Sequence, residues 1–177
     1  MSDSLTARPV VAHRRESGDH GAAMKHIIPV LLLVTGLACA VQTPPAPAAA
    51  AAPEFINVIE PWPYPFSSAV RAGNLLFLSG QIGTQMVNGA PTLVSGGIEA
   101  ETRQTLENIK TILARGGSSM ERVVKCSVML ADMAEWPRMN SIYAAYFPGP
   151  KPARAAWGAT ALALGARVEI DCTALVN

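Results

Sequence analysis

Residues 167–176 alternate without a break. Val168, Ile170, Cys172, Ala174 and Val176 fall on one parity, and Arg167, Glu169, Asp171, Thr173 and Leu175 on the other. A β-strand turns such an order into one dry face and one wetter face, because successive side chains point to opposite sides. The same reasoning predicts strands at 54–59, 67–72, 75–79, 123–130 and 153–157. In 123–130, Val124, Cys126, Val128 and Leu130 share a side. The run 75–79 is apolar throughout, which predicts a strand buried on both faces. Two segments carry helical spacing instead. In 98–114, Ile98, Thr102, Leu106, Ile109 and Leu113 form one stripe, with Glu101, Arg103, Glu107 and Lys110 on the other face and Gly116-Gly117 as the stop. In 135–147, Met139, Ile142, Tyr143 and Tyr146 line one face, with Asp132 as cap and Pro137 in the first turn. The segment 83–97, rich in Gly, Asn, Pro and Ser, reads as a loop without phosphate-loop spacing.

The order β-β-β-α-β-α-β-β is an α+β pattern: one mixed sheet of about six strands with two helices on one face. Two helices dry only one side of such a sheet. A second copy of the chain is the simplest cover for the other, which predicts a homo-oligomer with sites at the interface.

The first third has a different character. Residues 24–40 have a short charged start, an apolar core from Ile27 and Ala38-Cys39-Ala40 as a small-x-small cleavage site, the layout of a secretory signal. Residues 1–23 read as an upstream extension, with Met24 as the start. Cys39 leaves lipid attachment open beside plain secretion, and the expected location is periplasmic or lipid-anchored at the envelope. Residues 41–53 are a Pro/Ala-rich tether that buries no core, and 54–177 form the folded domain. Export would allow Cys126 and Cys172 to pair. Their apolar parity favours two buried free thiols.

From residue 54 onward the chain carries ten Lys/Arg and ten Asp/Glu. A neutral domain lacks the basic stripe that phosphate-backbone binding needs, so no nucleic-acid partner is expected. All three histidines, His13, His20 and His26, precede it. Ser-His-Asp and Cys-His catalysis are therefore excluded, and a zinc site is disfavoured. What remains is Arg, carboxylates, hydroxyls, backbone and water. Arg154 stands among small apolar residues just after Pro152, and a planar guanidinium in a tight site matches the two oxygens of a carboxylate. Glu169 follows fifteen residues later and can handle a water or a proton. The pair suggests a small-acid site.

The segments 79–83 (Ser-Gly-Gln-Ile-Gly), 102–110, 124–133, Pro152-Ala153-Arg154 and 168–171 (Val-Glu-Ile-Asp), in this order and spacing, resemble the RidA (YjgF) family of reactive-intermediate deaminases over almost the whole domain. The resemblance implies a chorismate-mutase-like fold, a homotrimer with sites between subunits, and hydrolysis of 2-imino acids and their enamines to 2-keto acids and ammonia, with no cofactor or metal. It implies that Arg154 grips the substrate carboxylate and that Glu169 lies near the attacking water. Ser79 and Gly80 would line the pocket, with Asn140 from the second helix. Phe66 stands where the family often has tyrosine, and Ala156 where many members have cysteine. Leu164-Gly165 replaces a Leu-Pro turn. Two rivals stand beside the deaminase: a non-catalytic binder of small carboxylates, which these departures favour, and an endoribonuclease or translation inhibitor, which the neutral histidine-free domain disfavours.

Overall fold

The computed structural model describes residues 51–59 and 63–176. The expected extension at 1–23, the signal at 24–40, most of the tether, and Trp62 lie outside the described residues. In chain order the elements are β1 (Glu54–Ile56), β2 (Ala69–Ala72), β3 (Leu75–Leu78), β4 (Gln81–Ile82), β5 (Thr84–Val87), β6 (Ala90–Leu93), α1 (Gly97–Arg115), β7 (Val123–Leu130), α2 (Trp136–Tyr146), β8 (Ala153–Gly158) and β9 (Val168–Leu175). One mixed sheet runs β1-β2-β3-β9-β7-β8, with β4 also paired to β9, while β5 and β6 form a separate hairpin. All pairings in the main sheet are antiparallel except β7 with β8, which α2 joins as a crossover. Parallel neighbours require such a crossover, and a helix supplies it.

The alternation of β9 does what its sequence requires. Val168, Ile170, Cys172 and Ala174 are buried and the residues between them are half-buried. Cross-strand partners share a face. Val128 of β7, opposite Ile170, and Cys126, opposite Cys172, therefore join the same layer. Ile98, Leu106, Ile109 and Leu113 of α1 and Met139 of α2 close over it without solvent exposure. Each such side chain contributes about 1.5–3 kcal/mol by leaving water.

Several expectations change. The apolar run of β3 is buried on one face only: Leu76 and Leu78 are inside, while Phe77 is 45% exposed. Val124 is exposed and Val123 is buried in its place. A register shift between Val123 and Lys125 inverts the parity there. Glu101 is buried rather than solvated, and its Oε2 accepts the backbone N–H of Arg167 at 2.8 Å. The segment 83–97 is not a plain loop, because β5 and β6 pair through Asn88-Gly89, both at positive φ (51° and 80°). An Asn-Gly pair is the strongest short hairpin signal, and the Gly/Asn/Pro/Ser content of the segment concealed it. Trp136 and Trp157 are both exposed in the single chain.

The two cysteines are not free thiols. Cys126 and Cys172 face each other across β7 and β9 and form a disulfide, with Cα atoms 4.1 Å apart and a sequence separation of 46. Apolar parity was the right observation. It aligned both side chains in one layer, where direct register brings them into bonding range. Replacing both by serine is expected to lower unfolding stability by roughly 2–4 kcal/mol. Denaturant melts of wild type with and without reductant, beside the double variant, would check this; coincident melts would refute it.

Candidate active site

Arg154 lies on β8, the edge strand of the sheet, opposite Cys126. That register puts it on the helix-covered face. There its guanidinium carbon sits 4.6 Å from the ring centroid of Tyr143 and 5.9 Å from that of Trp136. Trp136, Asn140 and Tyr143 follow i, i+4, i+7 spacing along α2, so Asn140 belongs to the same stripe. Among the described residues no carboxylate pairs with Arg154. Other arginines differ: Arg138 pairs with Glu99, and Arg167 with Glu135 at 2.7 Å. Aromatic faces hold a guanidinium without occupying its N–H fork. The Tyr143 ring is buried, and its hydroxyl has no hydrogen-bond partner among the described residues. Burial pushes that phenol up to about 12, with the Arg154 charge opposing.

Glu169 belongs to a different neighbourhood. It pairs in register with Met129 of β7 and Ile82 of β4, on the face the helices do not cover. Three residues lie between Phe77 and Gln81, but only two between their partners Thr173 and Ile170, so Ser79-Gly80 forms a bulge against β9. The Glu169 carboxylate occupies the space that a Cβ on Gly80 would take. A side chain at position 80 would have to displace that carboxylate. Ser79 secures the bulge: its N–H donates to Ser68 O at 3.0 Å and its Oγ to Ser67 O at 2.7 Å. Burial, and after it the Asp171 carboxylate, holds the Glu169 carboxyl above its usual range.

A cavity of about 550 Å³ opens beside this carboxylate, lined among others by Tyr64, Phe66, Gly80, Met86 and Leu164. Phe66 stacks on Tyr64 with ring centroids 5.5 Å apart. The amide of Asn108 fixes the wall on the α1 side by donating to Ile82 O and Thr84 O at 3.1 and 3.0 Å.

The seven residues singled out from sequence thus fall into two groups in one chain. Phe66, Gly80 and Glu169 meet at the cavity, with Ser79 behind them. Arg154 lies against α2, on the stripe that also carries Asn140. Ala156 pairs with Val128 on the same face and packs against the core. Arg154 and Glu169, first read as a pair, project from opposite faces of the sheet and do not form one site within a single chain. Tyr143 was read only as helix packing. The i, i+4, i+7 spacing of Trp136, Asn140 and Tyr143 was the available signal for the cradle. Among the described residues no cluster of His, Cys, Asp or Glu is arranged to hold a metal, and no helix is long and apolar enough to cross a membrane.

Comparison with known proteins adds to this geometry. The family model described as Endoribonuclease L-PSP matches residues 60–176. A chloroplastic Reactive Intermediate Deaminase A of Arabidopsis thaliana is 44% identical over 110 residues, 62% of this chain and 58% of that protein. The chain therefore spans little more than half of that relative. A 2-iminobutanoate/2-iminopropanoate deaminase of Mus musculus is 42% identical over 111 residues, 63% of this chain and 81% of the relative. Among solved structures, yeast Mmf1 superposes with a TM-score of 0.65 at 32% identity, over 71% of this chain and all of that one. RidA from a Psychrobacter species gives 0.60 at 35% identity, over 65% and 91%.

The raised Glu169 carboxyl makes a pH-dependent contribution to stability. The folded state holds this proton more tightly than the unfolded state does. The contribution is therefore complete below the unfolded carboxyl pKa and is lost as pH rises through the folded value. Glu169→Gln is expected to melt higher than wild type at neutral pH, the difference closing below about pH 4. A thermal-melt series from pH 3 to pH 8 would measure it. A difference independent of pH, or of opposite sign, would refute the burial of this charge.

Proposed function

This chain belongs to the endoribonuclease L-PSP (RidA/YjgF) family, and from that premise we propose that it hydrolyses 2-imino acids and their enamine tautomers to 2-keto acids and ammonia. The observation that carries this reading is the state of Arg154: a guanidinium laid on aromatic rings with no acid partner among the described residues. An unpaired planar fork at a partly buried position suits a substrate carboxylate. The domain offers no histidine, and this chemistry needs none.

A protonated imine is already electrophilic. Water adds to its carbon, a C–O bond forms, and the C=N electrons pass to nitrogen. Proton transfer from the added water to that nitrogen then lets the C–N bond break, leaving a keto acid and ammonia. Glu169, with its carboxyl held above the usual range by burial, is suited to take the proton from water and return it to nitrogen. Holding the carboxylate in line with the water contributes about 7–11 kcal/mol in the best cases.

The site is proposed to be shared between copies in a homotrimer. Support comes from the split within one chain, where the cavity bearing Glu169 and the cradle bearing Arg154 lie on opposite faces. The half-exposed Phe77 and Trp157 on the helix-free face suit burial against another copy. The disulfide suits the exported location proposed from residues 24–40, since such bonds persist in oxidising compartments. A second reading, a carboxylate binder without turnover, is favoured by one feature: Phe66 brings no hydroxyl to the cavity.

Imines generated by an amino-acid oxidase and followed as they decay test the proposal. Wild type is expected to accelerate the decay. Arg154→Ala is expected to lose roughly a hundred- to ten-thousand-fold in kcat/KM, from two charge-assisted hydrogen bonds. Keto-acid binding without acceleration would instead establish the binder. RNA cleavage that responds to Arg154→Ala would establish the nuclease.

The shared site has its own test. Arg154→Ala and Glu169→Ala, each expected to be impaired alone, should recover up to about a quarter of wild-type activity when unfolded together and reassembled, because a quarter of randomly mixed sites hold both intact residues. No recovery from verified mixed trimers would refute sharing.

A further inference from the structure

The contacts that hold Arg154 all lie within one chain, and they reach back into its core. The guanidinium carbon stands 4.6 Å from the centroid of the Tyr143 ring. That ring packs in turn on Phe147, with centroids 4.8 Å apart and planes tilted by 38°. Tyr143 and Phe147 stand four residues apart at the end of α2, where helical spacing makes them neighbours. Both are buried members of the core cluster. The backbone is fixed from the other side. Cys126 pairs in register with Arg154, and the Lys151 amine donates to Phe147 O, tying the entry of β8 to the end of α2.

The ring of Tyr143, and not its hydroxyl, makes this contact. The hydroxyl is buried with no hydrogen-bond partner among the described residues, which is unfavourable for folding. Burial pushes the phenol up to about 12, with the Arg154 charge opposing, so the ring stays neutral at working pH. A neutral π face attracts a cation without accepting from its N–H groups. A carboxylate in the same place would engage the fork itself.

We propose that Tyr143 is a positioning residue, whose ring, seated on Phe147, sets the plane of the Arg154 guanidinium before a substrate carboxylate arrives. This rests on the carboxylate role given to Arg154 above. An arginine side chain has several torsions to order on binding, and a fork ordered in advance avoids that cost.

Three variants separate ring from hydroxyl. Tyr143→Phe keeps the ring, while Tyr143→Leu and Tyr143→Met keep apolar bulk without it. Methionine adapts to irregular gaps and serves where the leucine variant does not fold. Imine decay is followed for each, and pyruvate binding is measured by calorimetry. Tyr143→Phe is expected to retain at least about a third of wild-type kcat/KM, because the ring face remains. A folded ringless variant is expected to raise KM and the pyruvate Kd about tenfold, with kcat changed less than about threefold. On an Arg154→Ala background the same replacement is expected to change kcat/KM less than about twofold, since no guanidinium is left to hold. A role in packing alone would lower the melting temperature, leave KM in place, and add its loss to that of Arg154→Ala. Unchanged KM and pyruvate Kd in a folded ringless variant would overturn the inference, as would additive losses or a Tyr143→Phe as impaired as Tyr143→Leu. A pyruvate Kd that depends on the ring, without turnover of any imine, would sustain the positioning role while removing the deaminase reading.

Discussion

A side chain on a β-strand serves only one face of its sheet, and the alternation of β9 commits this molecule to that rule at the site itself. Ile170 and Cys172 go to the helices, so Glu169 must go to the other side. Arg154 is locked to the helix side by its register with Cys126. No side-chain rotation undoes this, and a one-residue slip of β9 would expose its whole buried row. A chain that needs both groups at one substrate must bring them together by assembly. The edge position of β8 leaves Arg154 where another copy can reach it.

The polar side of α1 does more than face water. Asn108 holds the carbonyls of Ile82 and Thr84, and Glu101 holds the N–H of Arg167 just before β9. Gly83 lies so close to α1 that a Cβ would come within 2.7 Å of the Glu101 backbone. The helix thus fixes both the start of the hairpin and the approach to β9, and Ile82, Thr84 and Asn108 of the first anchor line the cavity. Stripe arithmetic assigned Glu101 and Glu107 to solvent together. It was right for Glu107, which is exposed, and wrong for Glu101. Period alone does not show where a loop will fold back over a helix.

The same distinction separates what the sequence made legible from what it did not. Both helices, the β9 alternation and the order of the main strands follow from local periods and are found where those periods lie. The departures need a partner that the local pattern does not contain. The bulge at Ser79-Gly80 exists only against β9. The shift near Val124 exists only in the β7–β9 register, and the disulfide follows from that same register. Asn88-Gly89 is different, because its signal was local and the surrounding composition outweighed it. For the site, the residue types were legible while their division between two faces was not. That division follows from comparing parities on two strands whose pairing the sequence does not state.

The Leu164-Gly165 turn links these points to chemistry. Gly165 sits at φ 75°, a value that a proline ring, fixed near −65°, cannot adopt. The turn places Leu164 at the cavity of Glu169, whose lining also includes Phe66 and Tyr64. Burial holds the Glu169 carboxyl above its usual range, because apolar surroundings raise the cost of charging it. A neutral carboxylic acid is a proton donor. Burial beside the cavity therefore favours the form of Glu169 that can donate a proton, the role the proposed reaction asks of it once water has added.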